Sequence, residues 1–293
     1  MIDILLPTVS QGLLWSLLAL GVYITYRVLD IADLTVEGSF PLGAAVTAAL
    51  LVKGSDPLTA IFVAAIAGGL AGIITGVLHT KLKIPALLAG ILTMIALYSV
   101  NLRIMGKANL SLLRVDTSFS FVRSMGLDNT MSVLSIGLAS TVFVGAIIYW
   151  FFGTELGAAV RATGYNPQMI RAQGVDTKVT IILGLFISNA LVAISGALIS
   201  QSNGFADVGM GVGTIVIGLA SVIIGEVLFG TRSFKNSLVS VVLGSVVYRI
   251  VIAVVLQLGM PPNDLKLFTA VLVAVALAMP MFKGKMSKRK VEG

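Results

Sequence analysis

The sequence contains no cysteine and one histidine, His79, in 293 residues. Disulfides, thiolate catalysis and cysteine-ligated metals are excluded, and a histidine-based triad or metal centre lacks the additional groups it requires. His79 reads as a polar residue at the end of an apolar run. Charge is scarce as well. Asp, Glu, Lys and Arg make up 11% of the chain, less than half of the ~25% found in soluble domains. With 57% hydrophobic residues and a mean hydropathy of +1.02, a water-soluble globule is excluded. Alternating polar and apolar residues, which a transmembrane barrel needs, are missing too. Runs such as 61–78 are continuously apolar or small.

Phosphate and nucleotide motifs are absent. The P-loop pattern needs Gly-Lys followed by Ser or Thr, to reach Mg²⁺. Here Gly106-Lys107 precedes Ala108, and Gly284-Lys285 precedes Met286. Gly209, Gly211 and Gly213 follow no strand and make no dinucleotide fingerprint. No two carboxylates share an apolar run, which argues against acid–base chemistry by a carboxylate pair. The net charge of +7 comes largely from the segment Lys283 to Lys290, and no basic stripe carries interleaved aromatics. Nucleic acid is therefore not a partner; the cations report membrane topology.

What remains is an all-α polytopic membrane protein with about nine spans, eight to ten being compatible with the pattern. Stretches long enough for the bilayer run over 8–28, 40–53, 57–79, 84–105, 132–153, 179–201, 212–230, 236–257 and 264–282. The second is short. With Pro41 and Gly43 near its start, it reads as a broken or re-entrant element. The first, with no preceding Lys or Arg and no small-residue cleavage site after it, reads as a retained span. Residues 1–282 then form one transmembrane domain, and 283–293 a basic cytoplasmic tail. Placing that tail inside puts thirteen cations in inner segments and five in outer ones, with the N-terminus outside. The polar outer loop 106–131 is long enough to fold over the external mouth. Gly68, Gly72 and Gly76 recur every four residues and make a smooth helix face for close packing.

The segment 154–178 is too polar to span and too long for a plain connector. Ala158, Ala159 and Ala162 share a small-residue surface ending at Gly164, where a turn with positive φ is expected. Asn166 is a good N-cap, Pro167 suits the first helical position, and Gly174 can stop the helix. Two short surface helices follow. Glu155, Arg161 and Arg171 offer charges for a docking partner or for anionic lipid. Inside the spans, Glu226 is the one acid, and Arg249 in the next span is its expected ion-pair partner. Asn189 and Tyr248 are further intramembrane polar candidates for packing or for a solute path. Asp33 and Glu37, with Thr35 and Ser39, are expected to cap a helix starting near Gly38.

The run GAAVRATGYN at 157–166, followed by Ala172 and Gly174, resembles the cytoplasmic coupling segment of permeases of ATP-binding-cassette (ABC) importers. The relevant family serves branched-chain amino acids, ribose and related solutes. The stretch ALG at 19–21, the stretch DIADLTVEGS at 30–39, and KIP at 83–85 resemble the same family in order. The second of these is closest to an amino-acid, tryptophan-type bacterial subgroup. The resemblance spans about 11–282. It implies a bacterial plasma-membrane permease, paired with a second permease copy, two ATPase subunits and an extracytoplasmic solute-binding protein. ATP and Mg would then bind the ATPase and no cofactor this chain, with Glu155, Arg161, Gly164, Asn166, Arg171 and Gly174 in the coupling contact. The solute would be an amino acid first, then a sugar or nucleoside. An ion-coupled transporter needs more acids along a path than Glu226, an intramembrane enzyme needs a convergent catalytic set, and a receptor or export subunit could share the fold.

Overall fold

The structure is a computed structural model. It describes residues 2–275 apart from Arg114, Met125, Met260, Pro262, Asn263, Leu265, Lys266 and Leu272. The basic tail at 283–293 and most of the expected ninth span lie outside the described residues.

The chain is an all-α polytopic membrane protein. Helix α1 (Ile2–Tyr23) continues through a π-helical turn (Ile24–Val28), and together they present a 24-residue apolar stretch, Leu5–Val28. Helices α2 (Val36–Val52), α3 (Pro57–Thr80) and α4 (Ala86–Met105) follow. Strand β1 (Asn109–Ser111) and helix α5 (Ser118–Ser124) lie between α4 and α6 (Asn129–Gly153). The short α7 (Glu155–Tyr165) and α8 (Pro167–Ala172) lead into α9 (Thr177–Asn203). Strand β2 (Phe205–Asp207) and a 3₁₀ turn (Val208–Gly211) precede α10 (Thr214–Phe229) and α11 (Phe234–Gln257). Seven of these helices are long and apolar enough to cross a bilayer, and the 17-residue α2 is a shorter apolar helix.

Helix α9 is the centre of the bundle and packs against α1, α2 and α3. Small residues let it do so. Gly68, Gly72 and Gly76 all face it, as their spacing predicts, and a Cβ on Gly72 would stand 2.2 Å from the Leu185 carbonyl oxygen. Hydroxyls fasten the same contacts. Ser195 donates to the Leu14 carbonyl and Ser188 to the Gly21 carbonyl, both at 2.8 Å. In a medium without water, such bonds satisfy groups that have no other partner.

Helix α2 departs from a plain span because it begins inside the bundle. Asp30, at φ 55°, helps to reverse the chain after the π turn. The segment then climbs back until Asp33 meets Asn189, twelve residues or about 18 Å along α9 from its start. Asp33 is the fixed point of this turn: Oδ1 accepts the Thr35 N–H at 2.9 Å and Oδ2 accepts Asn189 Nδ2 at 2.8 Å. The helix starts at Val36, two residues before the position expected. Glu37 does not cap it; its Oε1 accepts the Gly213 N–H at 2.9 Å, at the start of α10. Both buried helix N-termini, those of α2 and α10, are therefore faced by a carboxylate, which suits the positive end of the helix dipole.

At the opposite end from α7 and α8, loop 106–131 is tied down. Strands β1 and β2 pair antiparallel, Asn109 opposite Asp207, and the Ser118 N–H donates to Gln201 Oε1 at 2.9 Å. His79 Nδ1 meets the Ile84 carbonyl at 2.9 Å, a local polar contact as expected.

The packing predicts opposite outcomes for two helix glycines. Gly72→Ala forces α3 away from α9 and should cost about 1–3 kcal/mol. Gly145→Ala, where a Cβ meets nothing within 4 Å, should be neutral or stabilising by up to about 1 kcal/mol through helix propensity. Thermal unfolding of both variants in detergent checks this, and equal midpoints would reject the tight α3–α9 seam.

Candidate functional site

Helices α7 and α8 are the two short helices expected between α6 and α9. Thr154 caps α7, its Oγ1 accepting the Gly157 N–H at 3.3 Å, with Glu155 in the first turn. Asn166 caps α8: Oδ1 accepts the N–H groups of Gln168 and Met169 at 3.1 and 3.0 Å, and Pro167 occupies the first position. Gly174 follows at φ 86°, a conformation that favours glycine. Gly164 has another role than the one expected. It lies within α7, without positive φ, and a Cβ there would stand 1.9 Å from the Val28 carbonyl oxygen. The residue is small so that α7 can lie directly on the last turn of the α1 segment. Thr163 adds a hydroxyl contact to Thr180 of α9 at 2.7 Å. The other face carries Glu155, Leu156, Arg161, Tyr165, Met169 and Arg171, all exposed. The Arg161 guanidinium lies 5.2 Å over the Phe234 ring at the start of α11.

The expected Glu226–Arg249 pair does not form. Glu226 takes Arg27 instead, whose Nε donates to Oε2 at 3.0 Å and whose Nη2 donates to the same oxygen. This is the one ion pair among the described residues. Adjacency in sequence of α10 and α11 suggested Arg249, but the far end of α1 lies beside the same turn of α10. Arg27 falls at the inner end of the 8–28 span, and the packing of α1 on α10 leaves no local sequence signal. Arg27 is 47% exposed and Glu226 13%, so the protein encloses the pair only partly.

Arg249 sits elsewhere, toward the β1–β2 end. Its guanidinium lies 4.1 Å from the ring centre of Trp15, and Trp15 stacks on Phe40 at 5.2 Å. Its Nε is buried without a hydrogen-bond partner, and no carboxylate pairs with it among the described residues. Tyr248, its neighbour in sequence, meets Thr269 hydroxyl to hydroxyl at 3.1 Å. Asn189 is fully buried and spent on structure. It donates to Asp33 and to the Leu185 carbonyl, and it accepts from Ser39 Oγ at 2.7 Å. The cluster continues through Thr35, Thr75 and Thr93, joined hydroxyl to hydroxyl at 2.7 and 2.9 Å.

The faces of the bundle differ. Phe62, Ile66, Leu70 and Ile74 form an exposed apolar stripe along α3, and Leu88, Leu92 and Ile95 one along α4, as expected against lipid. A cleft of about 1170 Å³ between α3, α5, α6 and α9 is also mainly apolar, with Asp56 and Asp116 at its rim. On α1, α10 and α11 the charges lie at two levels: Arg249 toward one end, Arg27 and Glu226 toward the other. No group of three or more His, Asp or Glu suited to a metal occurs among the described residues.

Two double-mutant cycles test this reassignment. Arg27→Gln with Glu226→Gln should show coupling of up to about 1 kcal/mol, as for partly exposed pairs. Glu226→Gln with Arg249→Gln should be additive within about 0.5 kcal/mol. Unfolding in detergent measures both, and the reverse pattern would restore the pair on adjacent helices.

Residues 4–277 match the family model described as branched-chain amino acid transport system / permease component. The chain is 42% identical over 274 residues to the tyrosine transport system permease protein of Clostridioides difficile (strain R20291), covering 94% of this chain and 90% of that one. It is 36% identical over 285 residues to the uncharacterized protein RP368 of Rickettsia prowazekii (strain Madrid E), covering 94% and 97%. Among solved structures, an inward-facing ABC transporter of metal-chelate type aligns over 96% of this chain and 85% of its own, at 13% identity and a TM-score of 0.49. With its family model matched over nearly the whole length, this chain belongs to the permease components of the branched-chain amino acid transport systems.

Proposed function

We propose that this chain is the permease subunit of an ABC importer for an amino acid. In this reading a partner ATPase binds ATP and Mg, and an extracytoplasmic binding protein delivers the solute. A second copy of the chain completes the path, in a bacterial cell membrane with the N-terminus outside. The chain itself hydrolyses nothing. The amino-acid assignment is supported by the relative that is a tyrosine transport system permease.

One observation carries the mechanism: the α7–α8 module rests on the end of the α1 segment, with Gly164 against the Val28 carbonyl. Val28 is the neighbour of Arg27, whose guanidinium holds Glu226 of α10. A push on α7 by an ATPase would reach α1 without an intervening soft side chain, because backbone meets backbone. It would then reach the Arg27–Glu226 bridge between α1 and α10. The bridge ties the end of α1 to α10 and would be pulled when α1 tilts. Glu155, Arg161, Asn166 and Arg171 supply the exposed docking surface, and Gly174 allows the chain to turn back into α9.

The test is reconstitution with the ATPase and the binding protein, followed by complex formation, ATP hydrolysis and uptake measured together. Arg161→Glu should weaken assembly, and Gly164→Val should leave assembly intact but separate hydrolysis from uptake, because it wedges α7 off Val28. The isolated chain should hydrolyse no ATP. Wild-type uptake and hydrolysis in both variants would reduce the segment to a membrane anchor.

A further inference from the structure

We infer that Arg249, laid on Trp15, is a carboxylate-binding station in the solute path, so that the solute which this permease passes carries a carboxylate group. The inference rests on the permease reading above and adds the chemistry that the path selects.

An arginine in a bilayer span is expensive unless something neutralises it. The acids that the bundle encloses are all compensated. Glu226 has Arg27, Asp33 has Thr35 and Asn189, and Glu37 has the Gly213 N–H. Arg249 has only the face of an aromatic ring, with its Nε buried and unpartnered and its terminal nitrogens making no hydrogen bond among the described residues. A single ring offsets part of the cost of a desolvated cation and none of its hydrogen-bonding need.

The geometry also holds the group ready. Trp15 is itself stacked on the fully buried Phe40, so the platform beneath the guanidinium is rigid. With its Cζ 4.1 Å from the ring centre, the guanidinium keeps its terminal N–H groups available as the fork that receives both oxygens of one carboxylate. The site is partly open, since Trp15 and Arg249 are both half-buried. It lies on the face of α1 and α11 that carries the charges, not on the apolar faces of α3 and α4. A neutral sugar can accept hydrogen bonds from this cation but brings no charge to neutralise it, whereas the carboxylate of an amino acid does both.

The test uses the assembled transporter in proteoliposomes, with uptake of radiolabelled amino acids and of ribose and thymidine as uncharged probes. Expected is ATP-driven uptake of an amino acid, falling about tenfold or more in Arg249→Gln and only partly restored in Arg249→Lys, which keeps the charge but loses the planar fork. Stimulation of ATP hydrolysis by the loaded binding protein should persist in both. Uptake of uncharged solutes alone would overturn the inference and leave the permease reading standing. Absence of any ATP-driven uptake in wild type would remove that reading and this inference with it. Wild-type uptake in Arg249→Gln overturns the inference, as does equal loss in both variants together with lower thermal stability, which marks a structural role. A second readout bypasses the binding protein. Trp15 and Trp150 are the two tryptophans, so Trp150→Phe leaves Trp15 emission as the reporter in the purified chain. L-leucine should change that emission saturably and L-leucinamide should not. An equal response to both, or to neither, overturns the inference.

Discussion

Every polar group in this bundle must find its partner within the protein, because the bilayer interior offers no water. That constraint organises the interior. Serines 188 and 195 donate across helix seams to carbonyls that α1 presents. Asn189 joins three elements by bonding Asp33, Ser39 and its own helix. The acids Asp33 and Glu37 are held by backbone N–H groups at two helix starts rather than by cations. A neutral amide and the positive end of a helix can each stabilise a carboxylate without placing a second charge in hydrocarbon.

The same constraint makes the small residues functional. Close helix approach needs backbone against backbone, and glycine at 72 and 164 allows it. At Gly72 the result is a static seam between α3 and α9. At Gly164 the result joins a surface helix to the end of α1, and contacts of this kind transmit displacement because they have no slack. The bundle thus contains a rigid centre around α9 and a charged flank formed by α1, α10 and α11. The surface helices α7 and α8 bear on both α1 and α9.

Arg249 is the charged departure from this rule. Among the described residues five buried side-chain atoms lack a hydrogen-bond partner, and the arginine's is the only one of them that belongs to a charged group. Four of the five are hydroxyls or amides, whose desolvation costs far less than that of an ion. An uncompensated cation on a rigid aromatic platform is consistent with a ligand group supplying what the fold withholds.

The sequence by itself determined the class of the molecule, since 11% charge and continuous apolar runs leave no soluble solution. It determined the two surface helices as well. Asn166-Pro167 and Gly174 are local signals whose effect is exerted within a turn, and Thr154 caps as local chemistry directs. The glycine stripe in α3 was legible as a packing face, although not its partner. Only the tertiary structure decided which charges meet. Glu226 and Arg249 lie on consecutive helices, yet Arg27, 199 residues away from Glu226 in the chain, reaches the acid because α1 crosses α10. It also decided that α2 begins inside the bundle, where Glu37 serves another helix instead of its own. Ion pairs, helix starts in mid-bundle and close approaches such as Gly164 on Val28 depend on which helices become neighbours. Periodicity and capping signals carry no information about neighbours, because they act within one helix and its ends.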